Sequence, residues 1–255
     1  MTHSYLEYLR LKAIITSLRF FDGEKPAPPS PDDSFAFKSR DGQREVKVNI
    51  YRPKTVISPS PVLLNWKRIV EQTSHTVLDA SYALAPEYPF PSALEDAEEL
   101  VLQVLAKPKE YDGQHIVLSG FSSGGNLALA AASNLIKESR VPNNAIRGVA
   151  VFYPPTSMEV SPAEKKLLDG TLPPIPAADP DAFPDNVLII TAEKDKLAPE
   201  AEELARKLEK AGKKILLKRF DGVRHGWDKT KGEGSDDAKL RDEAYELTGK
   251  FLSGL

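Results

Sequence analysis

The chain has 255 residues, 41% of them hydrophobic and 28% charged, with a formal net charge of −3 at pH 7. That length suits one large α/β domain, and that charge has nothing to draw nucleic acid or an anionic membrane. There is no cysteine, which excludes disulfides, thiolate catalysis and thiolate-bound metals and fits a reducing compartment, the cytoplasm.

In residues 1–21, Leu6, Leu9, Ala13, Leu18 and Phe21 recur at roughly helical spacing, with Glu7, Arg10, Lys12 and Arg19 among them. The pattern predicts an amphipathic helix packed on the domain, and the charges exclude a signal-peptide core or a stable membrane insertion. The proline-rich stretch 25–31 reads as a linker. Residues 34–40 and 43–51 read as strands joined at Asp41-Gly42, a strong hairpin signal. Val46, Val48 and Ile50 alternate with polar residues, as in a half-buried edge strand. Strands are expected at 61–66 and 76–81, then a helix over 92–106 opened by a capping box of Ser92 and Glu95. A strand at 115–119 leads into a helix rich in alanine and leucine from Asn126. A strand at 148–152 ends at Tyr153-Pro154-Pro155, and the irregular, proline-laden 156–185 is long enough to be an inserted lid. A strand at 186–192, a helix at 199–211, a strand at 214–220 and a helix at 236–252 complete the chain. The basic cluster from Lys213 to Arg219 alternates with apolar residues, so it reads as a strand with wet ends and not as a binding patch. A hairpin followed by alternating strands and helices predicts a mostly parallel central sheet with helices on both faces.

The stretch Gly120-Phe121-Ser122-Ser123-Gly124 falls at a strand-to-helix junction. A G-x-S-x-G there is the nucleophile-elbow pattern. The turn around Ser122 is cramped, which calls for glycine at Gly120 and Gly124. The Ser123 N–H, at the helix start, points to where an oxyanion would form. The alternative role for Ser122 is a plain helix N-cap. Ligand sites of such sheets lie beyond the C-terminal strand ends. Asp195 follows the strand 186–192 and His225 follows the strand 214–220, so the order is Ser, Asp, His. In these roles Ser122 is the nucleophile, His225 the base and Asp195 the group that orients the imidazole. Glu193 is the competing acid; Asp195 is favoured because it lies in the loop beyond the strand. Of the other histidines, His3 is terminal, His75 precedes a strand and His115 opens one. No two histidines lie within a helical turn, no carboxylates cluster in a loop, and Gly120 to Gly125 lacks a phosphate-loop lysine. Neither a metal nor a cofactor is expected.

The stretch from Tyr82 to Asp96, YALAPEYPFPSALED, closely resembles the Y-R-L-A-P-E-x-P-F-P-A-A-x-E-D signature of the hormone-sensitive-lipase-like branch of the α/β-hydrolases, the fold-3 esterases. The elbow resembles that branch's G-D-S-A-G-G-N-L-A, Asp195-Lys196-Leu197 its acid motif and His225-Gly226-Trp227 its histidine motif. The resemblance implies one α/β-hydrolase domain over residues 1–255, with a helical lid built from 1–30 and 154–185. It implies hydrolysis of small carboxylic esters with short or medium acyl chains, without a cofactor, through Ser122, Asp195 and His225, with Ser123 in the oxyanion hole. Phe152, Tyr153, Leu167, Leu168 and Phe183 suggest an apolar pocket. Members of the branch often pair through the edge formed by the last strand, here 214–220, which implies a homodimer. Phe121 and Ala83 replace an acid and an arginine of the branch's motifs. The larger departure is an H-G-G-G-type oxyanion loop after the third strand: no glycine lies between Gly42 and Gly113. Parallel neighbours need a crossover of about 10–12 residues, yet only the nine residues from Lys67 to His75 are available. Asn65 is a candidate substitute donor, although a strand-end Asn more often serves a turn. Impaired turnover is therefore expected, and a non-catalytic small-molecule binding protein on the same fold is the second reading.

Overall fold

A computed structural model describes residues 30–64, 67–156, 179–229 and 235–255. The predicted N-terminal helix, most of the predicted lid, Asn65 and Trp66 lie outside the described residues. β1 (Asp33–Lys38) and β2 (Glu45–Tyr51) form an antiparallel hairpin. Its turn is closed by the Gly42 N–H on the Ser39 carbonyl at 2.7 Å, with Gly42 at φ 72°. β3 (Ser60–Leu64), β4 (Thr76–Ala80), β5 (Tyr111–Phe121), β6 (Ile146–Phe152), β7 (Asn186–Ala192) and β8 (Lys214–Phe220) complete an eight-stranded sheet in the order β1-β2-β4-β3-β5-β6-β7-β8. Every pairing from β4 to β8 is parallel, and β2 meets β4 antiparallel. The expectation that β2 forms the edge is corrected: β1 covers it.

Helices cover both faces. α1 (Ser92–Leu105), α2 (Ser123–Lys137) and α3 (Ala198–Lys210) pack on one face against Val62, Leu64, Ile116, Leu118, Val149, Val151, Val187 and Ile189. α4 (Asp236–Ser253) and Ile69 pack on the other against Leu63, Val117, Ala150, Phe152, Leu188 and Ile190. Successive residues of each central strand thus serve opposite faces, as the two-residue strand period requires, and these strands read as continuous apolar runs because both faces are buried.

The short crossover from β3 to β4 is made with a six-residue 3-10 helix, Lys67–Gln72. Its rise of about 2.0 Å per residue outruns the 1.5 Å of an α-helix, so few residues return the chain far enough to restart a parallel strand. Ile69 is fully buried and anchors it.

The capping box expected at α1 does not form. Pro91, not Ser92, is the N-cap, and no side chain caps the helix. The Pro89–Pro91 turn dictates the entry instead, with the Ser92 N–H bonded to the Pro89 carbonyl at 3.1 Å. Asp96 is buried below. Both oxygens take a hydrogen bond from the Arg44 guanidinium at 3.0 Å, and one also accepts the Ala83 N–H at 2.8 Å. The Arg44 guanidinium lies 4.6 Å over the Tyr88 ring. The hairpin thereby holds the loop between β4 and α1.

Two features yield predictions. At the end of β5, a Cβ on Gly120 would meet the Gly124 carbonyl oxygen at 2.2 Å and the Gly125 nitrogen at 2.6 Å. A Cβ on Gly124 would meet nothing within 4 Å, which corrects the expectation of crowding at both positions; the second tight glycine of the elbow is Gly125, where a Cβ would lie 3.1 Å from the Gly120 carbonyl oxygen. Gly120→Ala is expected to abolish cooperative unfolding or soluble expression, whereas Gly124→Ala retains the melt within a few degrees. At the opposite end of the sheet His75 is buried, and burial, reinforced by His115, pushes its pKa down from 6.5 to about 4. The unfolded chain then binds the proton more readily, so stability falls as pH drops through 6.5 towards 4. From pH 7 to pH 5 the parent should lose about 2 kcal/mol more unfolding free energy than His75→Gln, measured by urea titration at both pH values.

Candidate active site

β5 ends at Phe121 and α2 starts at Ser123, leaving Ser122 alone between them with φ 51° and ψ −121°. A side chain at positive φ costs about 1–3 kcal/mol and persists only where the surroundings hold it there. Here two main-chain bonds do so. The Ser122 N–H donates to the Phe152 carbonyl of β6 at 2.9 Å, and the Ser122 carbonyl accepts from the Asn126 N–H at 3.1 Å. The alternative of a plain cap is not taken: Ser122 is the N-cap residue, but its side chain makes no cap bond. Its Oγ instead lies 2.8 Å from His225 Nε2.

The loops after β7 and β8 are spliced through the main chain. Glu193 and Lys194 donate to the Phe220 and Val223 carbonyls, each at 2.9 Å. This fixes Asp195 relative to His225 whatever their side chains do. Asp195 Oδ2 lies 2.6 Å from His225 Nδ1, and Oδ1 accepts the Leu197 N–H at 2.9 Å. The Asp195 side chain is only 4% exposed, while that of His225 is 38% exposed. A carboxylate on Nδ1 selects the tautomer with the proton there and leaves Nε2 free to accept from Ser122. The competing acid is engaged elsewhere, since Glu193 Oε2 accepts the Gly222 N–H at 2.7 Å. Ser122, His225 and Asp195 are thus brought into one hydrogen-bonded line. Ser123 is the first residue of α2, where an N–H has no acceptor within the helix.

The residues expected to line an apolar pocket separate. Phe152 is buried in the α4-side core and Phe183 in the α2-side core. Leu167 and Leu168 lie outside the described residues. Tyr153 does reach the site: its ring centroid is 4.6 Å from that of His225. Beside the elbow, between Leu64, Tyr82, Leu118 and Gly124, is a cavity of about 20 Å³, room for one water and not for an acyl chain. Sequence reasoning missed Asp228, which bonds the Tyr153 hydroxyl; an acid next to Trp227 in a loop past a strand end was the only local signal. Among the described residues no group of three side chains is placed to hold a metal ion, and no helix is long and apolar enough to cross a membrane.

A family model described as the alpha/beta hydrolase fold matches residues 65–183 and 160–229. Arylacetamide deacetylase of Oryctolagus cuniculus is 27% identical over 174 residues, covering 59% of this chain and 43% of that protein. Hormone-sensitive lipase of Mus musculus is 32% identical over 129 residues, covering 48% of this chain and 16% of that protein. The match therefore spans less than half the length of either relative. A thermostable carboxylesterase cloned from a metagenomic library shares the fold with a TM-score of 0.68 at 23% identity, over 99% of this chain and 98% of its own. With a family model matched over more than half its length and a sheet of this order, the chain belongs to the α/β-hydrolase fold family, in its hormone-sensitive-lipase-like branch.

Proposed function

We propose that this chain is a carboxylic ester hydrolase that acts through Ser122, His225 and Asp195 on apolar esters of short or medium acyl length. The observation that carries the reading is the line from Ser122 Oγ through His225 to a buried Asp195 carboxylate, at 2.8 and 2.6 Å, on a strained elbow. Ser122 Oγ attacks the ester carbonyl while His225 Nε2 takes its proton. Asp195 stabilises the imidazolium that forms. The oxyanion of the tetrahedral intermediate meets the Ser123 N–H. His225 then returns the proton to the departing alcohol, leaving an acyl-Ser122. Water, activated by the same histidine, releases the acid and restores Ser122. The relatives named as a deacetylase and a lipase support acyl-group hydrolysis as the chemistry class.

In the same reading residues 1–255 form one domain, and 1–30 and 154–185 supply its lid. The chain is cytoplasmic, consistent with its lack of cysteine. It pairs with a second copy along β8, the outer strand, where Leu216 and Leu217 are exposed.

Turnover is slow in this reading. No glycine between Gly42 and Gly113 is available to supply an H-G-G-G-type set of donors, and losing even one oxyanion donor costs about 10²–10³ in rate. The same fact favours one alternative, a non-catalytic protein that binds a small ester in the same place. Hydrolysis of p-nitrophenyl butyrate by the purified chain beside Ser122→Ala separates the two. The expected outcome is a slow rate that vanishes in the variant; equal background rates, with the ester still bound, select the alternative. Asp195→Asn should lower the Ser122-dependent rate by about 10²–10⁴, whereas Glu193→Gln should leave it within a few-fold. Equal losses at both positions would reassign the acid.

A further inference from the structure

Three residues beyond His225 lies a carboxylate that no step of ester hydrolysis uses. Asp228 has no solvent exposure. It accepts hydrogen bonds from the hydroxyls of Tyr153, a very short contact, and Tyr245, at 3.0 Å, and its Oδ2 lies 2.8 Å from the Lys229 ammonium. A buried carboxylate costs several kcal/mol of desolvation, and an apolar residue of similar volume often stabilises such a place at least as well. The surroundings are apolar and aromatic: Trp227, Phe152 and Phe220 pack together beside it. Cohesion alone does not account for an anion here. What the anion adds is direction.

Two of its three partners lead to the site. The Tyr153 ring lies 4.6 Å from the His225 ring, tilted by 58°. The Lys229 ammonium lies 3.3 Å over the ring of Phe121, the residue before Ser122. One anion thereby braces the histidine through a tyrosine and the elbow through a lysine. Tyr153 needs such a hold. It sits at φ 39°, past the end of β6, and the Ile190 carbonyl fixes only its main chain, accepting from its N–H at 2.6 Å. Burial, reinforced by Asp228, raises the pKa of its hydroxyl, which therefore remains a donor.

We propose that Asp228 is a positioning residue for His225: it anchors the Tyr153 hydroxyl, and the Tyr153 ring keeps the imidazole turned with Nε2 towards Ser122. The proposal rests on reading His225 as the base. It is tested on the full chain with Tyr153→Phe, Asp228→Ala and the double variant. Three quantities are measured: kcat and KM for p-nitrophenyl butyrate, the thermal melt, and the downfield proton NMR signal of His225 Nδ1–H. Misplacing a catalytic group by about 1 Å costs about 10²-fold, so Tyr153→Phe should lower kcat by about 10- to 100-fold with KM within two-fold. The downfield signal should broaden or vanish in a protein that still melts cooperatively. Because Asp228 acts through Tyr153, the double variant should lose no more kcat than Asp228→Ala alone. An unchanged kcat and signal in folded Tyr153→Phe, or losses that multiply in the double variant, overturn the proposal. Should Asp228→Ala not fold, Tyr153→Phe decides alone. Should the parent show no Ser122-dependent turnover, the proposed function fails, and the NMR signal still decides this one: lost in Tyr153→Phe it supports positioning, retained it refutes it.

Discussion

The site depends on how closely the end of β5 approaches the first turn of α2. The two main chains meet at a distance that leaves no volume for a side-chain carbon at Gly120. That contact forces the reversal at Ser122 into positive φ and lifts the serine out of both the strand and the helix. The strain is local, but its restraint is not: β6 accepts the Ser122 N–H, and α2 supplies the donor for its carbonyl. A sheet buried on both faces gives these restraints their stiffness, because none of its central strands can shift without exposing core on one side or the other.

The acid and the histidine are held by a different principle. Their loops are short and sit at neighbouring strand ends, and main-chain bonds run between them. Side chains then refine what the backbone has set. Asp195 also accepts the N–H of Leu197, the N-cap residue of α3, so the carboxylate beside the imidazole is itself tied to the start of a helix. Glu193, only two residues away, is turned to the Gly222 N–H and takes no part in that line.

Much of this was legible from residues. The spans 186–192 and 214–220 coincide with β7 and β8 because each is a bounded run next to turn formers. The strand read at 115–119 falls short of β5, since Asp112, Gly113 and Gln114 interrupt its apolar run while the ladder with β3 shifts register there. The order of Ser122, Asp195 and His225 was readable because strand ends in a parallel sheet share one side. Contacts that join distant, individually ordinary residues were not. Nothing near Arg44 announces Asp96, 52 residues away, and nothing near Tyr153 announces Asp228, 75 residues away. The capping box failed for a related reason: its residues were right, but the prolines before it set the helix start a residue earlier than the motif requires.

The splice between the acid and histidine loops has an evolutionary consequence. Its bonds run from backbone nitrogen to backbone oxygen, so they survive nearly any exchange of the side chains that carry them. Lys194, an exposed side chain, can drift, and Phe220 and Val223 are restrained through their packing in the core, while the separation of carboxylate and imidazole is set by the main chain. A lineage built this way can exchange exposed side chains of these two loops, residue by residue, without first losing the placement of Asp195 against His225.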